Sequence, residues 1–124
     1  MSTVETKLLD INIMTLGKFT ARLDRINAPL TIQRLMKALP LKGRVLKQGT
    51  MLVMPTGLKV RPESPRGVFS RGDLSIDPSS ANLSIHLEND SQSRREENYL
   101  GRIQEEIVTK GMLLSSGILI KEHS

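Results

Sequence analysis

Rings are scarce in this chain. Phe19, Phe69 and Tyr99 are the only aromatic residues among 124, and tryptophan is absent. Three rings cannot build a base-stacking platform or a ring-lined pocket, so the core has to be aliphatic. Cysteine is absent too, which excludes disulfides, thiolate catalysis and cysteine-ligated zinc. No apolar run approaches the roughly 20 residues that cross a bilayer, and Met1 to Lys7 has no charged region followed by an apolar stretch. A cytoplasmic protein without a membrane partner is the expectation.

Charge is plentiful but uneven. The net charge is +5, yet Leu16 to Arg71 holds 12 Lys or Arg against two acids, Asp24 and Glu63. From Gly72 to Ser124 there are five basic residues against nine acidic ones. Such asymmetry favours an anionic partner or pairing between copies, unless folding mixes the two halves.

The hydropathy pattern is mostly of period two. Leu9, Ile11 and Ile13 alternate with Asp10 and Asn12; Phe19, Ala21 and Leu23 alternate with Thr20, Arg22 and Asp24. Gly17 lies between them, so the spacing predicts a β-hairpin. Ile32, Leu35, Met36 and Leu39 then follow a helical period. Asn27 is the expected N-cap, Pro29 suits the first turn, and Pro40 ends the helix.

Gly43 to Val60 reads as further strand, and Arg61 to Arg71 as a loop of turn formers and arginines. Gly72–Ile76 and Asn82–Leu87 are two more alternating strands around an Asp-Pro-Ser-Ser turn, and Glu88–Glu97 is a polar loop. Residues 96–113 allow two readings: one helix from about Glu96, or a strand through Ile103 followed by a helix over Gln104–Leu113. Ile118-Leu119-Ile120 closes the chain as a strand. About eight strands and two short helices, in one domain over 1–124, suit a mainly β, closed barrel with its ends capped.

Two segments carry a family likeness. Gly72-Asp73-Leu74-Ser75-Ile76 resembles the barrel strand that cyclophilins enter with a glycine before Leu-Ser and an apolar residue. Leu100-Gly101-Arg102-Ile103 resembles their aromatic-Gly-Lys-Val strand, which a short helix follows. The order of elements over residues 7–121 is similar to that of compact archaeal and bacterial cyclophilin-like proteins of unassigned function. The resemblance implies a cyclophilin-like barrel. Prolyl isomerase activity would require an Arg near the prolyl amide and an aromatic and apolar pocket. Here Asn82–Leu87 carries no ring on its apolar phase, and no Phe-His-Arg stretch occurs between Arg44 and Met54. Gln48-Gly49-Thr50 departs from the family's Gln-Gly-Gly-Asp. The expectation is therefore a binding module without the isomerase constellation; a divergent isomerase and a basic nucleic-acid binder are the alternatives.

Candidate site residues are few. Arg61, Arg66 and Arg71 share one loop, and arginine forks suit carboxylate or phosphate. An anionic ligand or an acidic peptide or protein is the partner they suggest. His86 lies on the polar phase of its strand, where a surface or barrel-mouth position is expected and no acid stands at a recognisable spacing. Asp73 and Asp77 share a strand face, but Asp77-Pro78 is a common turn opening. Ser79-Ser80 has no base. No metal, cofactor or catalytic residue is expected, and oligomerisation is left open.

Overall fold

The computed structural model describes residues 5–109 and 114–123. β1 (Thr6–Ile13) and β2 (Gly17–Asp24) form the expected hairpin, with Gly17 at φ 111°. Helix α1 (Pro29–Ala38) follows, then β3 (Leu41–Gln48), β4 (Met51–Pro55), β5 (Arg66–Phe69), β6 (Asp73–Ile76), β7 (Asn82–His86), β8 (Ser91–Ile103) and β9 (Ser115–Glu122).

Eight of these strands close into an antiparallel barrel in the order β2-β1-β9-β3-β4-β7-β6-β8. The seam is β2 against β8, where Ala21, Arg22 and Leu23 pair with Ile103, Arg102 and Gly101. Closure leaves these strands with no free edge. The interior is aliphatic, as the shortage of rings requires. Leu9, Ile11, Ile13, Ala21, Leu23, Val45, Leu52, Leu74, Ile76, Leu83, Ile85, Leu100, Ile118 and Ile120 form one buried cluster. Each such Leu or Ile contributes about 1.5–3 kcal/mol through burial.

Among the described residues there is one helix, not two. Residues 104–109 are irregular, and the rest of the expected second helix lies outside the described residues. Ile107 is buried alone there, so the segment has one anchor where an amphipathic helix needs a stripe. For 98–103, the strand reading is the one observed. Helix α1 behaves as its period predicts, turning Ile32 and Leu35 into the barrel core. Its cap differs from expectation. The N-cap position is Ala28, and Asn27 instead donates from Nδ2 to the Leu100 carbonyl at 3.1 Å.

Two segments read as loops are strands. β5 pairs with the first half of β8, Arg66 opposite Glu97 and Phe69 opposite Ser91, as a two-stranded ribbon beside the barrel. The ribbon covers the outer face of β6 and β7. That is why Ser75, Ser84 and His86 are buried although they alternate with core residues Leu74, Ile76, Leu83 and Ile85.

Candidate functional site

A cleft of about 680 Å³ lies between α1 and the segment 59–63. The segment is irregular, and its consecutive residues Lys59 to Glu63 all line the cleft, while Leu58 and Val60 also pack against the core. Asn98 on β8 fixes this segment from beneath: its Nδ2 donates to the Arg61 carbonyl at 2.8 Å, and its Oδ1 accepts from the Glu63 N–H at 2.8 Å. The same Nδ2 donates to Thr31 Oγ1 at 3.0 Å, tying the segment to the helix.

Arg34 joins Lys59 and Arg61 from the helix side, with Leu30, Val60 and Pro62 as the apolar part of the lining. Leu30 is 62 % exposed at the cleft. Among the described residues none of the three cations is ion-paired. The one acid present, Glu63, is occupied: its two carboxylate oxygens accept from the N–H groups of Leu30 and Thr31, both at 2.9 Å. It caps the helix that its own N-cap residue cannot.

The three loop arginines are not brought together. Arg61 is in the cleft just described. Arg66 lays its guanidinium over the Tyr99 ring, 3.9 Å from the centroid, and reaches towards Phe69 at 5.9 Å. Arg71 pairs with Glu106 at 3.1 Å, donates to the Ile107 carbonyl at 3.0 Å and lines a different cleft with Arg22 and Arg102. Sequence proximity did not become spatial proximity, because β5 separates Arg61 from Arg71 and Arg66 is stacked.

His86 is placed differently from expectation. It points away from the barrel core, as its phase predicts, but the ribbon buries it completely. Phe69 stacks on its ring with centroids 4.1 Å apart and planes 14° from parallel. Its Nε2 meets Ser75 Oγ at 2.9 Å and its Nδ1 meets Ser91 Oγ at 2.8 Å. Burial lowers its pKa to about 4, so the ring is neutral at pH 7. Ser75 in turn donates to Glu97 Oε1 at 2.7 Å. Glu97 is 5 % exposed, and burial pushes its carboxyl up against the opposing effect of hydrogen bonds from Ser75 and Ser84.

Glu97 lies in a second, polar groove of about 390 Å³ on the outer wall, with Gln48, Asn82, Ser84, Arg94 and Arg95 among its lining. Sequence reasoning missed Glu97, Arg94 and Arg95, since the polar run 88–97 carries no alternation to mark it as a strand. Asp73 and Asp77 act in turns. Asp73 accepts from the Ser70 N–H at 2.8 Å. Asp77 accepts from the Ser79 N–H and hydroxyl, both at 2.8 Å, and from Ser80 Oγ at 3.0 Å. Burial raises the Asp77 carboxyl, but those bonds and nearby Arg95 outweigh it and hold the group below its ordinary range. Among the described residues no group of three His, Asp or Glu side chains is arranged to hold a metal.

No family model matches the chain, and none of the curated proteins matches it. Among solved structures it is similar to the solution structure of the hypothetical protein AF2241 from Archaeoglobus fulgidus. The two share 18 % identity at a TM-score of 0.78, over 98 % of each chain. At that identity the likeness concerns the fold alone.

Proposed function

We propose that the chain is a binding module that takes an anionic ligand or acidic peptide, with an apolar portion, in the cleft beside α1. The observation that carries this reading is the set of three cations, Arg34, Lys59 and Arg61, around one cleft with exposed Leu30, Val60 and Pro62. Arginine and lysine supply the charge, and the apolar lining supplies area that a solvated anion alone would not use. Arg66 and Arg71 fall outside this reading, since each already has a partner.

We read the resemblance to cyclophilins as one of barrel scaffold only, since the family's pocket residues have no counterpart in Asn82–Leu87 or between Arg44 and Met54. A prolyl isomerase has to weaken C–N double-bond character in a desolvated pocket, against a barrier of about 18–20 kcal/mol. The outer-wall groove carries Met51 and Val53 amid polar and charged side chains and no ring. A protease-coupled assay on a proline peptide is expected to show no acceleration at high protein concentration. Nucleic acid is a weaker reading: Phe19 and Phe69 are buried and Tyr99 is covered by Arg66, leaving no free ring for a base.

The test is fluorescence anisotropy with a labelled peptide of alternating Glu and Leu, at low and at physiological salt. Binding that weakens with salt, and at least tenfold in the triple variant Arg34→Glu, Lys59→Glu, Arg61→Glu, is the expected result. No binding at low salt, or equal affinity in the variant, refutes the assignment.

A further inference from the structure

Five polar side chains between the barrel wall and the ribbon form an unbroken line. Thr50 Oγ1 is 2.7 Å from Ser91 Oγ, which is 2.8 Å from His86 Nδ1; His86 Nε2 is 2.9 Å from Ser75 Oγ, which is 2.7 Å from Glu97 Oε1. Each hydroxyl carries one hydrogen and a neutral imidazole carries one N–H. An ionised Glu97 can only accept, and this fixes the direction of every other bond. Ser75 donates to Glu97, Nε2–H donates to Ser75, Ser91 donates to Nδ1, and Thr50 donates to Ser91.

We propose that this line is a proton wire between Thr50 and Glu97, in which a proton entering at Thr50 ends as one on Glu97 and moves the imidazole hydrogen of His86 from Nε2 to Nδ1. The balance is complete. The incoming proton bonds to Thr50 Oγ1, and the Thr50 hydrogen passes to Ser91. The Ser91 hydrogen passes to Nδ1, the Nε2 hydrogen to Ser75, and the Ser75 hydrogen to Glu97. Each heavy atom between the ends gains one hydrogen and loses one. The result is the same line with every bond reversed and no group left without a partner.

Both ends leave the closed middle. Thr50 is half-buried in the turn between β3 and β4, and Glu97 is in the outer-wall groove. The middle is closed: Ser75, His86 and Ser91 are buried, Phe69 stacks on His86, and among the described residues the one charged side chain hydrogen-bonded to them is Glu97. Around Glu97 the charged groups are Arg94 and Arg95 on β8, Asp77 after β6, and Arg66 opposite it on β5. Burial favours a neutral carboxyl, so Glu97 can hold the proton it receives.

The experiment follows the side-chain nitrogens of His86 by ¹⁵N NMR and the carboxyl of Glu97 by ¹³C NMR, on a His123→Gln background that leaves one histidine. At pH 8 the Nε2–H tautomer is expected. As the Glu97 carboxyl titrates, His86 should cross to Nδ1–H while one ring nitrogen stays unprotonated. In Ser75→Ala, Glu97 should titrate without that crossing. An Nδ1–H ring at pH 8, a tautomer indifferent to Glu97, or the same crossing in Ser75→Ala overturns the wire. If Ser75→Ala does not fold, the titration of the parent protein decides.

Discussion

Gly101 of β8 lies against the backbone of Arg22, across the seam that closes the barrel. A Cβ built on Gly101 would overlap the carbonyl oxygen of Arg22 and stand 2.9 Å from the Cα of Leu23, both main-chain atoms. Main chain held in a closed ladder cannot step aside as a side-chain tip can. Gly101→Ala is therefore expected to cost about 3 kcal/mol, the upper range for overpacking. Gly43 is the control: a Cβ there meets only Met54 Cε at an ordinary 3.5 Å, so Gly43→Ala should change stability by less than about 1 kcal/mol. Urea unfolding of both variants checks the contrast, and equal midpoints would refute the seam argument.

Glu63 has two effects of opposite sign. It caps α1 through two N–H groups and it is the one acid in the basic cleft. Glu63→Ala should lose about 1–2 kcal/mol of stability with the cap and tighten the binding of an anionic peptide. A thermal melt and an anisotropy titration on the same sample separate the two. Weaker binding alongside the lower stability would mean that the helix cap, not the charge, shapes the cleft.

How much of this was readable from residues alone follows one physical divide. Where an element buries one face in the barrel, the pattern announces it: Leu9-Ile11-Ile13, Phe19-Ala21-Leu23 and Ile32-Leu35 lie where their spacing predicts. The ribbon gave no such signal, because apart from Phe69 the face it buries is polar. Ser91 bonds His86, His86 bonds Ser75 and Ser75 bonds Glu97, and a strand that covers hydroxyls reads as a loop. The second helix failed for the converse reason, since apolar residues at helical spacing in 103–108 leave Val108 exposed and only Ile103 and Ile107 buried. The arginines misled through adjacency: Arg61, Arg66 and Arg71 are close in sequence, while Arg34 and Lys59, which share a cleft with Arg61, carry no local motif.

Phe69 tests whether the ribbon is what keeps His86 neutral. It is fully buried and stacked on the imidazole. Phe69→Ala should cost about 3–5 kcal/mol as a large-to-small core change. It should also let water reach His86, raising its pKa from about 4 towards the ordinary 6.5. Phe69→Leu keeps the cover at lower cost and should leave the pKa low. A histidine titration followed by NMR reads both, and an unmoved His86 in Phe69→Ala would assign its burial to the barrel wall alone.

The acid limb of the stability profile should carry the mark of His86. With a pKa of about 4 folded against 6.5 unfolded, the unfolded chain binds a proton in that window that the folded chain does not. Stability therefore falls as pH drops from about 6.5 to about 4, and this loss levels off below. Glu97 runs the other way: its raised carboxyl takes up a proton in the folded state first, so it contributes stability as pH falls towards 4.5. Asp77, held low, loses its contribution only below its ordinary 3.8, outside the window. His86→Gln removes the histidine and leaves the carboxylates. Between pH 7 and pH 4.5 the parent protein should lose about 2 kcal/mol more than this variant, at about 1.4 kcal/mol per pH unit for one proton. Parallel profiles in urea unfolding would mean that His86 is protonated in the folded protein over its ordinary pH range, and the neutral ring that the proton wire requires would have to be abandoned.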